Sequence, residues 1–177
     1  FIGRSCKNCG VDGCTFENFS PTAVQIAGGD KMYLMNGNNE ILSSTIRNTS
    51  QGIAKSGCAI KVIGVGNAVR DCNIYNIPDI GIYFKGCNLA LDGCLISNES
   101  YVVDDSAAYY QGRNAFNRGN VLKNNLFIDT GTEFNHGNAA IYFDDGDCGN
   151  IVYSDLFVRC GFPGRANFGT VFSHGGY

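Results

Sequence analysis

The chain has 177 residues, a net charge of −3 at pH 7 and only 16% charged residues. That length supports one domain with a substantial core, and the acidic balance without any Lys/Arg cluster excludes a nucleic-acid binder. No apolar run approaches the ~20 residues that span a bilayer, so membrane insertion is not expected.

In chain order, two kinds of block alternate. The first kind opens as "CGVDGCTFEN" (9–18) and recurs as "NEILSSTIRN" (39–48), "NAVRDCNIYN" (67–76), "LALDGCLISN" (89–98), "NVLKNNLFID" (120–129) and "NIVYSDLFVR" (150–159). One apolar column reads Val11, Ile41, Val69, Leu91, Leu122, Val152, and a second reads Phe16, Ile46, Ile74, Ile96, Phe127, Phe157. Between them lies a small or polar column, Cys14, Ser44, Cys72, Cys94, Asn125, Asp155, and each copy closes on Asn18, Asn48, Asn76, Asn98, Asp129 or Arg159. After each copy comes a period-two block that starts small: "AVQIAG" (23–28), "AIKVIG" (59–64), "GIYFKG" (81–86), "AAYYQG" (107–112), "AIYFDD" (140–145) and "TVFSHG" (170–175). That pattern is a strand followed by a turn.

Six copies at a spacing of roughly 22–31 residues describe a solenoid of stacked strands, a parallel β-helix. Asn adopts the left-handed turn conformation and its amide can bond the Asn one rung away, so the Asn columns are expected to be turn ladders. Asn18, Asn48 and Asn98 also head the sequons "NFS", "NTS" and "NES", but their shared turn position favours the structural role. Residues 1–177 form a single β-helix domain in this reading. Neither "FIGRSCKNCG" nor "TVFSHGGY" reads as a cap, so further rungs or domains of a longer chain are expected beside it.

Nine Cys is dense for a cytosolic protein and points to a secreted or extracellular setting. Cys72 and Cys94 share a column on adjacent rungs, a spacing compatible with a disulfide and equally with stacked free thiols. Zinc is not expected, because "CKNC" (6–9) is a lone CxxC and His136 and His174 are the only histidines.

Period two in the second block places Val24, Ile60, Ile82, Ala108, Ile141 and Val171 inside, together with Ile26, Val62, Phe84, Tyr110 and Phe143. The outward columns then read Gln25, Lys61, Tyr83, Tyr109, Tyr142, Phe172 and Ala27, Ile63, Lys85, Gln111, Asp144, His174. With rungs ~4.8 Å apart, Tyr83, Tyr109, Tyr142 and Phe172 form an aromatic ladder about 14 Å long. Beside Lys85, Gln111, Arg113 and His174, such a ladder suits a sugar polymer. Longer loops before Ile60, Ala108, Ile141 and Val171 can wall the groove.

Carboxylates concentrate in "VVDDSAAYYQGR" (102–113) and "AIYFDDGDCG" (140–149). Paired carboxylates serve glycoside hydrolysis as acid with base or nucleophile, which makes Asp105, Asp144 and Asp145 the catalytic candidates. Along a straight strand Asp105 and Asp144 would be roughly 20 Å apart, against about 5–9.5 Å for productive pairs. Either the Asp105 loop folds back, or Asp144 works with Asp145 or another group. No cofactor is required, although Asp144, Asp145 and Asp147 could hold Ca²⁺ through hard oxygen ligands. A lyase would use such a cation against a uronate, with Lys85, Arg113 or His174 as base. The same acidic run also reads as an ordinary turn around Gly146.

The six-copy pattern resembles the right-handed parallel β-helix proteins of the pectin-lyase-like superfamily, over nearly the whole chain. The resemblance implies an all-β, right-handed, single-stranded parallel β-helix of about six rungs, a fold that carries hydrolases, lyases, esterases and adhesins. The two acidic stretches resemble a group of β-helix glycoside hydrolases and their uncharacterised relatives, which read "D-x-G-A-x-Y-x-G-R" and "I-Y-L-D-D-G-x-S-G". Asp105, Ala108, Tyr110, Gly112 and Arg113 match the first motif, and Asp144, Asp145 and Gly146 the second. Ala107 stands where the motif prefers Gly, and Cys148 where it prefers Ser. The expected function is action on a polysaccharide, by glycoside hydrolysis first, with a lyase or a non-catalytic glycan-binding solenoid as alternatives.

Overall fold

The structure is a computed structural model that describes residues 2–3, 5–52, 57–131, 133 and 136–175. Phe1, Arg4, Gly176 and Tyr177, in the terminal stretches read as uncapped, lie outside the described residues. The fold is a parallel β-helix of six rungs, each giving one short strand to each of three parallel six-stranded sheets. In rung four these are Ala90–Asp92, Leu95–Glu99 and Ser106–Gly112. They pair with Val121–Lys123, Leu126–Thr130 and Asn138–Asp144 of rung five. No helix occurs among the described residues, so none is long and apolar enough to cross a membrane.

Pleating sends alternate residues into the shared interior. The first sheet inserts Ile41, Val69, Leu91 and Leu122, and the second inserts Ile46, Ile74, Ile96 and Phe127, all fully buried. These residues pair in register from rung to rung. Both apolar columns therefore sit where the sequence pattern puts them.

Each rung turns its first two corners with a left-handed residue. Gly13, Ser43, Asp71, Gly93, Asn124 and Ser154 have positive φ at one corner, and Asn18, Asn48, Asn76, Asn98, Asp129 and Arg159 at the next. That region costs least for Gly, Asn and Asp. Asn98 Nδ2 donates to Asn76 Oδ1 at 2.8 Å, and Asn76 Nδ2 to Asn48 Oδ1 at 3.1 Å, which makes this column a ladder. Asn67 and Asn120 are buried at the third corner and act differently. Their Oδ1 atoms accept from the backbone N–H of Asn39 at 3.1 Å and of Leu89 at 2.9 Å, donors that would otherwise be orphaned inside.

In the third sheet the register departs from expectation at rung four. Tyr109, not Ala108, pairs with Ile82 and Ile141, and Tyr110 pairs with Tyr83 and Tyr142. Tyr109 and Gln111 thus face inward and are fully buried, while Tyr110 faces outward. Gln111 tolerates the interior because its hydrogen bonds are made there. Tyr109 Oη donates to Gln111 Oε1 at 2.5 Å, and Gln111 Nε2 donates to Asp147 Oδ1 and Asn150 Oδ1 at 3.0 Å each. The ladder also skips one position, Ala59 with Gly81 and Ala108 with Ala140. Ala59, Ala108 and Ala140 pack in the core beside their neighbours, which leaves Ala107 and Ala139 on the outer face against Tyr142.

Of the two arrangements the Cys72 and Cys94 spacing allows, the structure has the stacked free thiols, and no disulfide is formed among the nine cysteines. Cys72 and Cys94 are buried on adjacent rungs, their Sγ atoms against Arg70 O at 3.1 Å and Asp92 O at 3.5 Å.

Both carboxylate oxygens of Glu99 are buried without a hydrogen-bond partner, as are the hydroxyls of Thr49 and Thr130. Burial pushes the Glu99 carboxyl well up, so the folded chain keeps its proton where an unfolded Glu, near pKa ~4.3, has lost it. Stability from this group is therefore full below that value and falls as pH rises toward the folded pKa. Glu99→Gln should raise stability, least near about pH 4 and then more by about 1.4 kcal/mol per pH unit until the folded pKa is reached. Urea unfolding of both proteins across that range checks this; a pH-independent difference would remove Glu99 as the titrating group.

Candidate functional site

A cleft of about 460 Å³ lies on the outer face of the third sheet. Rung two supplies Gly57, Cys58 and Lys61, and rung three Asp79, Ile80 and Tyr83. Rung four supplies Asp105, Tyr110 and Arg113, and rung five Asp144.

The outward column through this cleft runs Lys61, Tyr83, Tyr110, Tyr142, Phe172. Lys61 Nζ sits 5.3 Å above the Tyr83 ring, and Tyr83 stacks on Tyr110 at 5.6 Å between centroids. Tyr110 meets Tyr142 edge-on at 5.4 Å, and Phe172 stacks on Phe168 at 4.2 Å. These rings spend their faces on each other and offer edges and hydroxyls to the cleft. Three of the expected ligand contacts are thereby corrected. Tyr109 and Gln111 lie in the core, and Tyr142 is buried beside Phe168. Tyr110, expected to pack inside, takes the ladder place assigned to Tyr109. Lys85 is exposed one position along from Tyr83, beside Ile63.

Asp144 ends the rung-five strand and is the hub of the site. Its Oδ2 accepts from Tyr110 Oη at 2.7 Å and Arg113 Nε at 3.3 Å. Its Oδ1 accepts from Tyr142 Oη at 3.0 Å and lies 3.2 Å from His174 Nδ1. Gly112 permits this approach, since a Cβ there would come within 2.6 Å of the Asp144 Cβ. Burial pushes the Asp144 carboxyl up, but the Tyr110, His174 and Tyr142 hydrogen bonds and the Arg113 charge outweigh it and hold it below the usual carboxylate range. In turn, burial and the Asp144 charge push the Tyr142 phenol up. Asp144 is thus a fixed anion whose four lone-pair sites are all taken. It orients its neighbours and has no site left for a substrate proton.

Asp145 behaves otherwise. Left-handed φ values at Asp145 and Gly146 turn the chain outward, leaving the Asp145 side chain 54% exposed against 5% for Asp144. Arg113 Nε lies 3.7 Å and His174 Nδ1 3.3 Å from its carboxylate. Asp105, also at left-handed φ, lines the same cleft as Asp144 and lies 3.6 Å from His136 Nε2. Its charge also contributes to raising the Tyr142 phenol, after burial and Asp144. The Asp105 loop therefore serves the same site as the end of the rung-five strand.

Asp147 does not join a Ca²⁺ site, because it turns inward to Gln111 and Asn150. The convergent donors are instead Asp144, Asp145 and His174, within 4.8 Å of one another. One imidazole nitrogen among two carboxylates is not the all-oxygen set Ca²⁺ takes, and the Arg113 guanidinium already pairs with both carboxylates. Sequence reasoning missed Asp79, a buried carboxylate in the cleft floor that accepts from Ser106 Oγ at 2.8 Å and Gly57 N at 3.1 Å. Its signal was an acid directly before the rung-three strand, in "NIPDIG" (76–81).

Asp144→Asn should cost about 1–3 kcal/mol of stability, since it leaves buried hydroxyls and a guanidinium poorly paired. Asp145→Asn should stay within about 0.5 kcal/mol of the parent. Urea unfolding of the two variants checks the contrast, and equal losses would contradict the anchoring role of Asp144.

No family model matches the chain, and neither a curated protein nor a solved structure matches it.

Proposed function

We propose that the cleft binds a polysaccharide chain and hydrolyses a glycosidic bond in it, with Asp105 and Asp145 as the acid/base pair. The observation that carries this reading is that Asp105 lines one open cleft with Tyr83, Tyr110, Lys61 and Arg113, whose guanidinium also lies 3.7 Å from the Asp145 carboxylate. Hydroxyl edges, carboxylates and cations lining a groove suit a polyhydroxylated ligand held by hydrogen bonds. Asp144 positions Tyr110, Arg113 and His174 around the bond, and the exposed Asp145 and half-buried Asp105 exchange protons with it. A second reading is elimination at a uronate. His174 favours it, because two carboxylates hold its Nδ1 and leave the other ring nitrogen for a substrate proton.

Reducing-end release from a polysaccharide panel tests the proposal. Hydrolysis should fall about 10²–10⁴-fold in Asp105→Asn and in Asp145→Asn with folding retained. Products absorbing as unsaturated uronides, with activity lost in His174→Ala, would establish elimination instead. Binding without turnover, weakened by Tyr110→Ala, would make the cleft a glycan-binding surface.

We also propose a secreted or extracellular setting, in keeping with a polysaccharide ligand and with the cysteine density. Fractionation of the cells that make it should then recover the natural protein outside the cell membrane, and recovery with the cell contents alone would count against the proposal.

A further inference from the structure

Two loop tips flank a groove at the third corner of the helix, the second of them following Arg113 on the rung before the Asp144–Asn150 turn. The first is a hairpin closed by Asp30 N to Met35 O at 2.8 Å and Met35 N to Asp30 O at 3.0 Å. Asp30 Oδ1 accepts from Met32 N at 2.7 Å and Tyr33 N at 3.3 Å, and Leu34 is held at left-handed φ. The second tip is built the same way, with Asn114 Oδ1 accepting from Phe116 N at 3.1 Å. What these tips present is apolar: Met32 is 83% exposed, Phe116 74% and Tyr33 70%. Between them lies a groove of about 280 Å³ lined by Met32, Leu34, Cys87 and Phe116, with Lys31 and Arg118 also along it. No carboxylate lines the groove among the described residues, and that of Asp30 is bonded beneath its own turn.

Hydrogen bonds that hold large apolar groups out into water, and a Leu at a φ it disfavours, are costs without a return inside this chain. Exposed Met, aromatic and Arg side chains are the composition of protein interfaces, and fixed tips reduce the ordering cost of binding. The cations select the partner's charge. They also oppose a two-fold pairing of copies of this chain, which would set Lys31 and Arg118 against their equivalents.

We propose that this groove docks an acidic protein segment carrying one large apolar anchor residue. The proposal is independent of the cleft's chemistry. Fluorescence anisotropy with a labelled Glu-Glu-Gly-Phe-Glu-Glu peptide, its Lys-for-Glu counterpart, and vesicles of phosphatidylcholine with phosphatidylglycerol tests it. The acidic peptide should bind and the basic one should not. Phe116→Ser or Met32→Ser should weaken binding about tenfold or more, with melting unchanged because both side chains stand in solvent. Lys31→Glu combined with Arg118→Glu should transfer binding to the basic peptide. The proposal is overturned if neither peptide binds, if the serine variants bind as the parent does, or if only the vesicles bind.

Discussion

Hydrogen bonds running along the helix axis at the corners place everything else in this molecule. A parallel stack has no hairpins to set its register, and a one-residue slip would exchange core and surface along a strand. Buried side chains remove that freedom. Asn125 shows how: its Oδ1 accepts from Cys94 N at 2.9 Å, and its own N donates to Asp155 Oδ1 at 2.7 Å. Each rung is thereby pinned to those on either side before a strand begins. Length differences between rungs are pushed into loops, where they cost little.

The same logic governs the candidate site. A buried carboxylate is tolerable only when its charge is met by donors, and Asp144 draws its donors from three rungs. Tyr110 and Arg113 come from rung four, Tyr142 from rung five and His174 from rung six. The anion therefore fastens the outer face as the corner amides fasten the inner one. Proton transfer falls to groups the fold leaves partly open, Asp105 and Asp145.

Legibility in the sequence followed the strength of the physical contrast. The first two sheets were readable in all six copies, because a buried aliphatic at fixed distance from a left-handed Asn or Gly is a joint demand few residues meet. Rung four of the third sheet was not. "AYYQG" offers two tyrosines and a glutamine, any of which can face either way, and matching its final Gly to that of "GIYFKG" placed it one residue out of register. What decided the matter was the Tyr109–Gln111–Asp147 network, whose members lie in two different rungs. Asp105 and Asp144 stand out in the sequence as acids within motifs. Their meeting in one cleft was hidden, because straight-strand geometry says nothing about how a loop folds.

Loop length accounts for both the cleft and the apolar groove. Between the second and third strands, rung three passes from Ile77 to Ile80 through only Pro78 and Asp79. Rungs two and four take much longer paths there, from Arg47 to Cys58 and from Glu99 to Ser106. The low rung between high ones is the floor of the cleft, which is why Asp79, Ile80 and Tyr83 line it. At the third corner the pattern recurs with different rungs. Val65 to Ala68 and Cys87 to Ala90 are short, while Gly28 to Glu40 and Gly112 to Val121 are long. Cys87 of a short rung becomes the floor there, with Met32 and Phe116 of the long ones as walls. A solenoid has no concavity of its own on a flat sheet face. Short loops set between long ones supply it, and the chemistry of each groove is then set by which side chains the corner ladders hold along its floor.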